Sequence, residues 1–344
     1  MANMPRKTTI YDISKAGGVS PTAVSLILNG RWKEYRIKSE TAARVLDLAN
    51  ELGYSINLKA RGLRLSRSGV GGMILPHYSN HFFVELAESF EAETRRRGVC
   101  PIVTSTQRDP EKELRVTEVL IAQQVDFLFV TGVRQPDPLN DLCALAGVPC
   151  INVDLPGDHA PSVMSDNSGG AYRLTEILLS KLEARGLPID DWFFFGGVRD
   201  DNSTSARIEG FTNALAKRGV KLDAQAFDCQ GYPPVVAEKA LDDCYRRLGR
   251  LPTSLFVNGI TGLEGALRFS SRLPGANFTR AVVGAFDWDP FAAHLHFDLT
   301  MVRQDVDAMI KSSFQLLDEY KPGNNPKLVI PTTTGSASDF AAIV

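Results

Sequence analysis

Carboxylates, amides, an arginine and aromatic rings recur in this 344-residue chain at one kind of position, just after a short apolar run. "LPHYSNHFF" carries Asn80 and His81 with Phe82 and Phe83 beside them. "NVDLPG" carries Asp154, and "MSDNSGG" carries Asp166 and Asn167. Arg207 sits in "SARIEGF", early on a helix, and "FVNG" gives Asn258. "GAFDWD" gives Asp287 and Trp288. Together these types suit a polyol: aromatic rings stack on a sugar face, while paired hydroxyls bridge Asp and Arg or Asn. Taken singly, each serves equally well as a helix cap or a surface ion-pair partner.

The elements that must position them alternate from Val70 onward. Strands are expected near 71–75, 101–104, 127–130, 150–153, 163–165, 192–195, 254–257 and 281–285. Helices are expected between them, near 82–97, 110–124, 169–183, 205–218, 235–248, 262–272 and 306–320. Such alternation builds parallel sheets with helices on both faces, and ligands settle outside the carboxyl ends of the strands. "EAETRRRGVCPIV" and "TNALAKRGVKLDA" each close a helix with Arg-Gly-Val and enter an extended segment. That echo suggests two similar α/β lobes facing each other across a cleft. The triple Phe at 193–195 reads as a buried parallel strand.

Other chemistries leave no mark. There is no G-x-G-x-x-G, no phosphate loop and no G-x-S-x-G, so no nucleotide cofactor and no hydrolase are implied. His294 and His296 have no third ligand nearby in sequence, and no metal is expected. The five cysteines are widely spaced without a C-x-x-C, which reads as reduced thiols. No apolar run is long enough to span a membrane, and "MANMPRKTTIYDISK" lacks a secretory apolar stretch, so a cytoplasmic protein is expected.

Charge divides the chain. The first 67 residues carry +7 and the remaining 277 carry −9, which together make the net −2. A small basic head on an acidic body points toward a polyanion. In the head, Thr9 caps a short helix through Ile10 and Ile13, and Gly17-Gly18 ends it. Ser20 then caps a second helix with Pro21 at its first position. Ala23, Val24, Ile27 and Leu28 form its inner stripe. Ser39 caps a third helix with Ala42, Val45, Ala49 and Leu52 on its inner face, ended by Gly53. Three short helices with a glycine turn between the first two describe a helix-turn-helix, whose second helix enters the major groove. An ordinary three-helix subdomain is the alternative. Beyond it, "NLKARGLR" places Leu63 among Arg61, Arg64 and Arg67, an arrangement suited to a minor-groove wedge flanked by phosphate contacts.

The order "TIYDISKAGGVS…AVSLILNG…TAARVLDLANELGYSINLKARGLR" resembles the DNA-binding head and hinge of the lactose-repressor/galactose-repressor (LacI/GalR) family. The likeness is dense over residues 8–67 and thins toward residue 335. The loop "NGRWKEYRI", with "SLILNG", "QQVDFLFV", "FFFGGV" and "LFVNGITGLEGALRF", is similar to the branch holding the sucrose and fructose repressors.

The resemblance implies a small all-α helix-turn-helix head (1–54), a hinge helix or linker (55–68) and a periplasmic-binding-protein-like α/β body (69–344). That body has two doubly wound parallel-sheet lobes, with crossovers near residues 165 and 287–303. DNA-facing residues are then Thr9 and Ser20 at the helix starts and Pro21, Thr22, Ser25, Leu26 and Asn29 on the second helix. Tyr35 and Arg36 follow in the loop, and Asn57, Ala60, Arg61, Leu63 and Arg64 in the hinge. Asp166, Arg207, Asn258 and Asp287 match effector-contacting positions of the family.

Two departures concern DNA. Leu26 stands where many members carry a polar residue, so it can meet a thymine methyl but offers no hydrogen bond to a base. Gly17 replaces a usual Ala, which should loosen the first helix. Two others concern the ligand: Asp154-Leu155 replaces the Asp-Arg of phosphosugar-binding relatives and of many sugar-binding ones, and Asn258-Gly259 replaces Asn-Asp. An unphosphorylated sugar or small polyol is therefore expected.

The leading expectation is a repressor of carbohydrate-utilisation genes. A homodimer on a near-palindromic operator is released when a sugar or sugar derivative closes the cleft, and it is nucleoid-associated while bound. The C-terminal "TTTGSASDFAAIV" shows no leucine heptads, in keeping with a dimer. A sugar-binding receptor without a DNA role and a ligand-responsive activator are the alternatives. A sugar kinase or isomerase finds no supporting motif.

Overall fold

The computed structural model describes residues 8–54, 67–273 and 278–341. The hinge positions Asn57, Ala60, Arg61, Leu63 and Arg64 lie outside the described residues. The chain divides into two units between Ser68 and Gly69.

The head has three helices. In α1 (Ile10–Gly17), Thr9 and Asp12 form a reciprocal capping box: the Thr9 amide donates to Asp12 Oδ2 at 2.8 Å, and Thr9 Oγ1 accepts from the Asp12 amide at 3.4 Å. Gly18 takes a left-handed conformation at φ 63°, which turns the chain sharply toward α2 (Pro21–Leu28). Ser20 Oγ accepts from the Ala23 amide at 3.2 Å. Gly17 has a packing role as well: a methyl there would stand 3.3 Å from Leu48 of α3 (Ser39–Glu51), so its absence lets α1 lie close to α3.

Two expectations for α3 fail. Lys38, not Ser39, occupies the cap position and makes no side-chain bond. Leu52 is 40% exposed, because the inner face ends at Ala49. Ile13, Val24, Ile27, Ala42, Val45 and Ala49 make the small core.

The body holds two six-stranded sheets. The first lobe contains β1 (Val70–Leu75), β2 (Cys100–Ser105), β3 (Phe127–Thr131), β4 (Cys150–Val153) and β5 (Ser162–Ser165). Helices α4 (His81–Arg96), α5 (Pro110–Ala122) and α6 (Asp137–Leu145) connect its strands. The chain then crosses into α7 (Asn167–Ala184) and the second lobe, where β6 (Trp192–Phe195) leads to the short β7 (Gly197–Val198) and α8 (Asn202–Lys217). There follow β8 (Phe227–Asp228), β9 (Gln230–Gly231), α9 (Pro234–Leu248), β10 (Ser254–Val257), α10 (Ile260–Arg272), β11 (Val282–Phe286) and β12 (Leu299–Gln304).

The return is through α11 (Val306–Asp318) to β13 (Lys327–Ile330), which pairs with β5 in the first sheet. Then β14 (Thr332–Ser336) runs antiparallel to β12 in the second sheet, followed by α12 (Ala337–Ala341). The strand orders are β13-β5-β4-β3-β1-β2 and β14-β12-β11-β10-β6-β8. The β12–β14 pair is the antiparallel one in two otherwise parallel sheets, and β7 with β9 forms a small antiparallel ribbon.

The chain therefore crosses between the lobes at 165–167, at 304–306 and again at 330–332. The expected second crossing at 287–303 is displaced, because β11 and β12 belong to the same sheet. The third crossing was not expected.

Candidate functional site

The floor of the cleft is built by the ends of matching strands. Asp154 follows β4 in one lobe and Asp287 follows β11 in the other. Both adopt left-handed backbone, at φ 75° and 66°, a region that aspartate tolerates better than most residues and that recurs at functional sites. Both carboxylates are buried. Arg207, on the second turn of α8, shares the cavity with both and is fixed from several sides. Its Nε donates to Asn167 Oδ1 at 2.8 Å, its Nη1 donates to the Asn258 carbonyl, and its Nη2 lies 3.8 Å from Asp287 Oδ1. The guanidinium sits 3.7 Å above the Phe286 ring centroid. Gln304 Nε2 donates to Asp287 Oδ1 at 2.6 Å.

Asn258 directs its amide nitrogen to Thr204 Oγ1 at 2.9 Å. Its Oδ1 is buried without a hydrogen-bond partner among the described residues, as is Gln304 Oε1. Orphan acceptors in a cavity are ready for ligand donors. Gly197, at φ 75°, makes room here, since a Cβ would lie 2.0 Å from Asn258 Nδ2. Burial raises the Asp154 carboxyl to about 6, against the pull of Arg207 and Arg108 and with help from Asp287 and Asp201.

Phe82 and Phe83, at the start of α4, supply the ring faces, and Asn80 caps that helix by accepting from the Phe82 amide at 3.1 Å. The cavity thus gathers Asn80, Phe82, Phe83, Asp154, Arg207, Asn258 and Asp287 from widely separated strand ends.

Three expected residues do not line it. Asp166 caps α7 through the Gly169 amide at 2.9 Å and pairs with Arg173 at 3.2 Å. His81 turns toward Glu85, 3.4 Å away, and meets the Trp288 ring edge-on. Trp288 Nε1 donates to the Ala337 carbonyl at 3.3 Å, and its ring packs against Phe340.

Five side-chain liners escaped the sequence reading, Arg108, Ser203, Tyr232, Thr261 and Gln304, along with three glycines, Gly197, Gly259 and Gly262. Arg108 follows the end of β2 as the other site residues follow theirs, so the same rule finds it. Gln304 ends β12, a strand hidden in "LTMVRQ". Tyr232 follows a two-residue strand too short to leave a pattern. Among the described residues, no group of His, Cys, Asp or Glu is placed to hold a metal, and no helix is long and apolar enough to cross a membrane.

In the head, α2 presents Thr22 and Asn29 fully to the outside, with Pro21, Ser25 and Leu26 half-buried. Asn29 Nδ2 bonds the Ser25 carbonyl at 2.7 Å. The Thr9 and Ser20 hydroxyls are engaged in helix caps. In the following loop Tyr35 is 53% exposed, and Arg36 is exposed at φ 55°. Arg31 lies 5.2 Å over the Tyr35 ring and bonds Glu34 at 2.8 Å. A polar and cationic margin thus runs along α2 and its loop, opposite the Val24–Ile27 face.

Residues 9–57 match the family of bacterial regulatory proteins, lacI family, and residues 71–292 match the periplasmic binding protein domain. The ribitol operon repressor of Klebsiella aerogenes is 42% identical over 222 residues, which is 64% of this chain and 82% of that one. The sucrose operon repressor of Klebsiella pneumoniae is 32% identical over 327 residues, covering 94% of this chain and 95% of that one. The crystal structure of the lac repressor dimer bound to operator and the anti-inducer ONPF shares the fold, with a TM-score of 0.78 at 19% identity over 97% of this chain and 99% of that one. A helix-turn-helix head joined to a two-lobed body with a polar cleft, and this likeness along nearly the whole length, place the chain in the lacI family of DNA-binding bacterial transcriptional regulators.

Proposed function

We propose that the chain represses genes for the use of a small, unphosphorylated polyol, and that this polyol, bound in the cleft, releases the operator. The observation that carries this reading is the pair Asp154 and Asp287, both buried in the cavity that also holds Arg207. Two carboxylates accept from vicinal hydroxyls but repel a phosphate dianion. Arg207 is already committed to Asn167 and Asn258, and Leu155 supplies no cation beside Asp154. The likeness to a ribitol operon repressor favours an acyclic pentitol within the polyol class.

On this reading the molecule binds and does not catalyse, and it acts as a homodimer in the cytoplasm on a near-palindromic operator. Thr22, Leu26 and Asn29 face base edges, Arg36 and Tyr35 face the backbone, and residues 55–68 form the strap that couples head to body. Thermal-shift and DNA-anisotropy measurements on the full chain test it. Ribitol or another pentitol is expected to raise the melting temperature and to lower affinity for the chain's own upstream DNA. A response to sugar phosphates and to no neutral polyol refutes the assignment.

A further inference from the structure

We propose that Arg134 and Asp201 form a clasp that holds the two lobes together before any ligand arrives. Arg134 follows β3 in the first lobe, and Asp201 precedes α8 in the second. They form an ion pair that joins the two lobes. Asp201 is 3% exposed, whereas the Arg134 side chain is half exposed. Asp201 Oδ2 also accepts from Tyr232 Oη at 2.7 Å. Tyr232 in turn carries Arg108 of the first lobe 4.4 Å above its ring. Two arginines of one lobe thus grip an Asp–Tyr pair of the other.

The placement of Asp201 is not explained by its helix. It stands at the N-cap position of α8, where aspartate ordinarily bonds the free amides of the first turn, yet its side chain makes no capping bond. Its oxygens face Tyr232 and Arg134 instead. A buried carboxylate needs a charged partner, and Arg134 supplies one only when the lobes are together. Neither Arg134 nor Asp201 lines the ligand cavity, so both are positioning residues. Ligand then binds a body already biased toward closure. The apparent dissociation constant is the intrinsic one divided by the closed fraction, so loss of the clasp weakens all effectors by one common factor. That last consequence rests on the cleft being the effector site; closure itself does not.

Hydrogen exchange read by mass spectrometry on the ligand-free full chain tests the clasp directly. Arg134→Ala is expected to speed exchange about fivefold or more at residues 80–84 and 259–263, cleft segments on elements other than the two loops that carry the pair. Arg134→Lys, which keeps the cation, is expected to stay near the parent. Asp201→Asn should resemble Arg134→Ala; if its burial prevents folding, the two half-exposed Arg134 variants still decide. Changes confined to residues 132–136 and 199–203, or equal opening by the Lys and Ala variants, overturn the proposal. Calorimetric titration with ribitol adds a separate arm, in which Arg134→Ala weakens binding by the same factor. If the parent itself ignores ribitol, the polyol reading suffers and the exchange result still judges the clasp.

Discussion

Arg207 Nη2 stands 3.8 Å from Asp287 Oδ1, both side chains almost wholly withdrawn from water. The separation exceeds a direct hydrogen bond, so the pair is held by charge at close range while Arg207 bonds elsewhere and Asp287 accepts from Gln304. The arrangement keeps the floor of the cleft preset, with little to reorder when hydroxyls arrive.

Replacing that cation exposes its importance. Arg207→Met is expected to leave Asp154 and Asp287 uncompensated, to destabilise the body by about 3–5 kcal/mol, and to abolish effector binding. Urea unfolding followed by circular dichroism, with calorimetric titration of the same sample, checks both effects. A variant of parental stability contradicts the charge argument.

Effector binding should depend on pH through Asp154. Its carboxyl is raised to about 6, so the folded protein holds this proton more tightly than the unfolded chain does. The group therefore favours the fold below about pH 4, and that contribution is lost as pH rises toward about 6. Ligand hydroxyls donate to the ionised form, so affinity is expected to be greatest above pH 7 and to fall by up to about tenfold per unit below pH 6. Titrations from pH 5 to pH 8 measure this, and Asp154→Asn should bind more weakly with a flatter profile.

On DNA, two head substitutions should separate in kind. Thr22→Ala is expected to lower operator affinity by about 1–3 kcal/mol while leaving binding to unrelated duplexes unchanged. Arg36→Ala is expected to weaken every duplex alike and to reduce the slope of log affinity against log salt by about 1. Anisotropy titrations at several salt concentrations distinguish them.

In the linking segment, Leu63→Ala should lose specific operator binding while retaining ligand affinity. Equal operator affinity for the variant and the parent, in the same assay, rejects a wedge at that position.

Packing offers a further test. A methyl on Gly210 of α8 would stand 2.0 Å from the Ser168 carbonyl oxygen, which is backbone and has little freedom to retreat. Gly210→Ala is expected to destabilise the body by about 3 kcal/mol, visible as a shifted urea midpoint.

Much of this was legible in the residues because local and global preferences agree. Thr9, Ser20 and Pro21 mark helix starts by chemistry that needs no tertiary partner, and the structure uses all three as read. Strands β4, β6 and β10 match their expected bounds because buried parallel strands are short and uniformly apolar. Residues read as following strand ends gave six cavity liners, and Arg207, early on α8, made a seventh.

The failures have separate causes. β13 and β14 are mixed or polar and become strands because each sheet offers an edge to them, whereas β12 is a buried interior strand that follows β11 within one sheet. Asp166 and Trp288 obey the strand-end rule but are claimed elsewhere: Asp166 locally, by the Gly169 amide and Arg173 of the helix it caps, and Trp288 by Ala337 and Phe340, far along the chain. Tyr232 and Arg134 act across the gap between lobes, which no local pattern encodes.

The late strands have a consequence for biosynthesis. One sheet takes β13 as its edge and the other takes β14, so neither lobe is a contiguous stretch of gene. A ribosome must make residues beyond 327 before the first lobe is complete and beyond 332 before the second is. The two halves should therefore reach their final form nearly together, after most of the polypeptide has emerged. Nascent chains stalled a few dozen codons early would expose both unfinished edges at once.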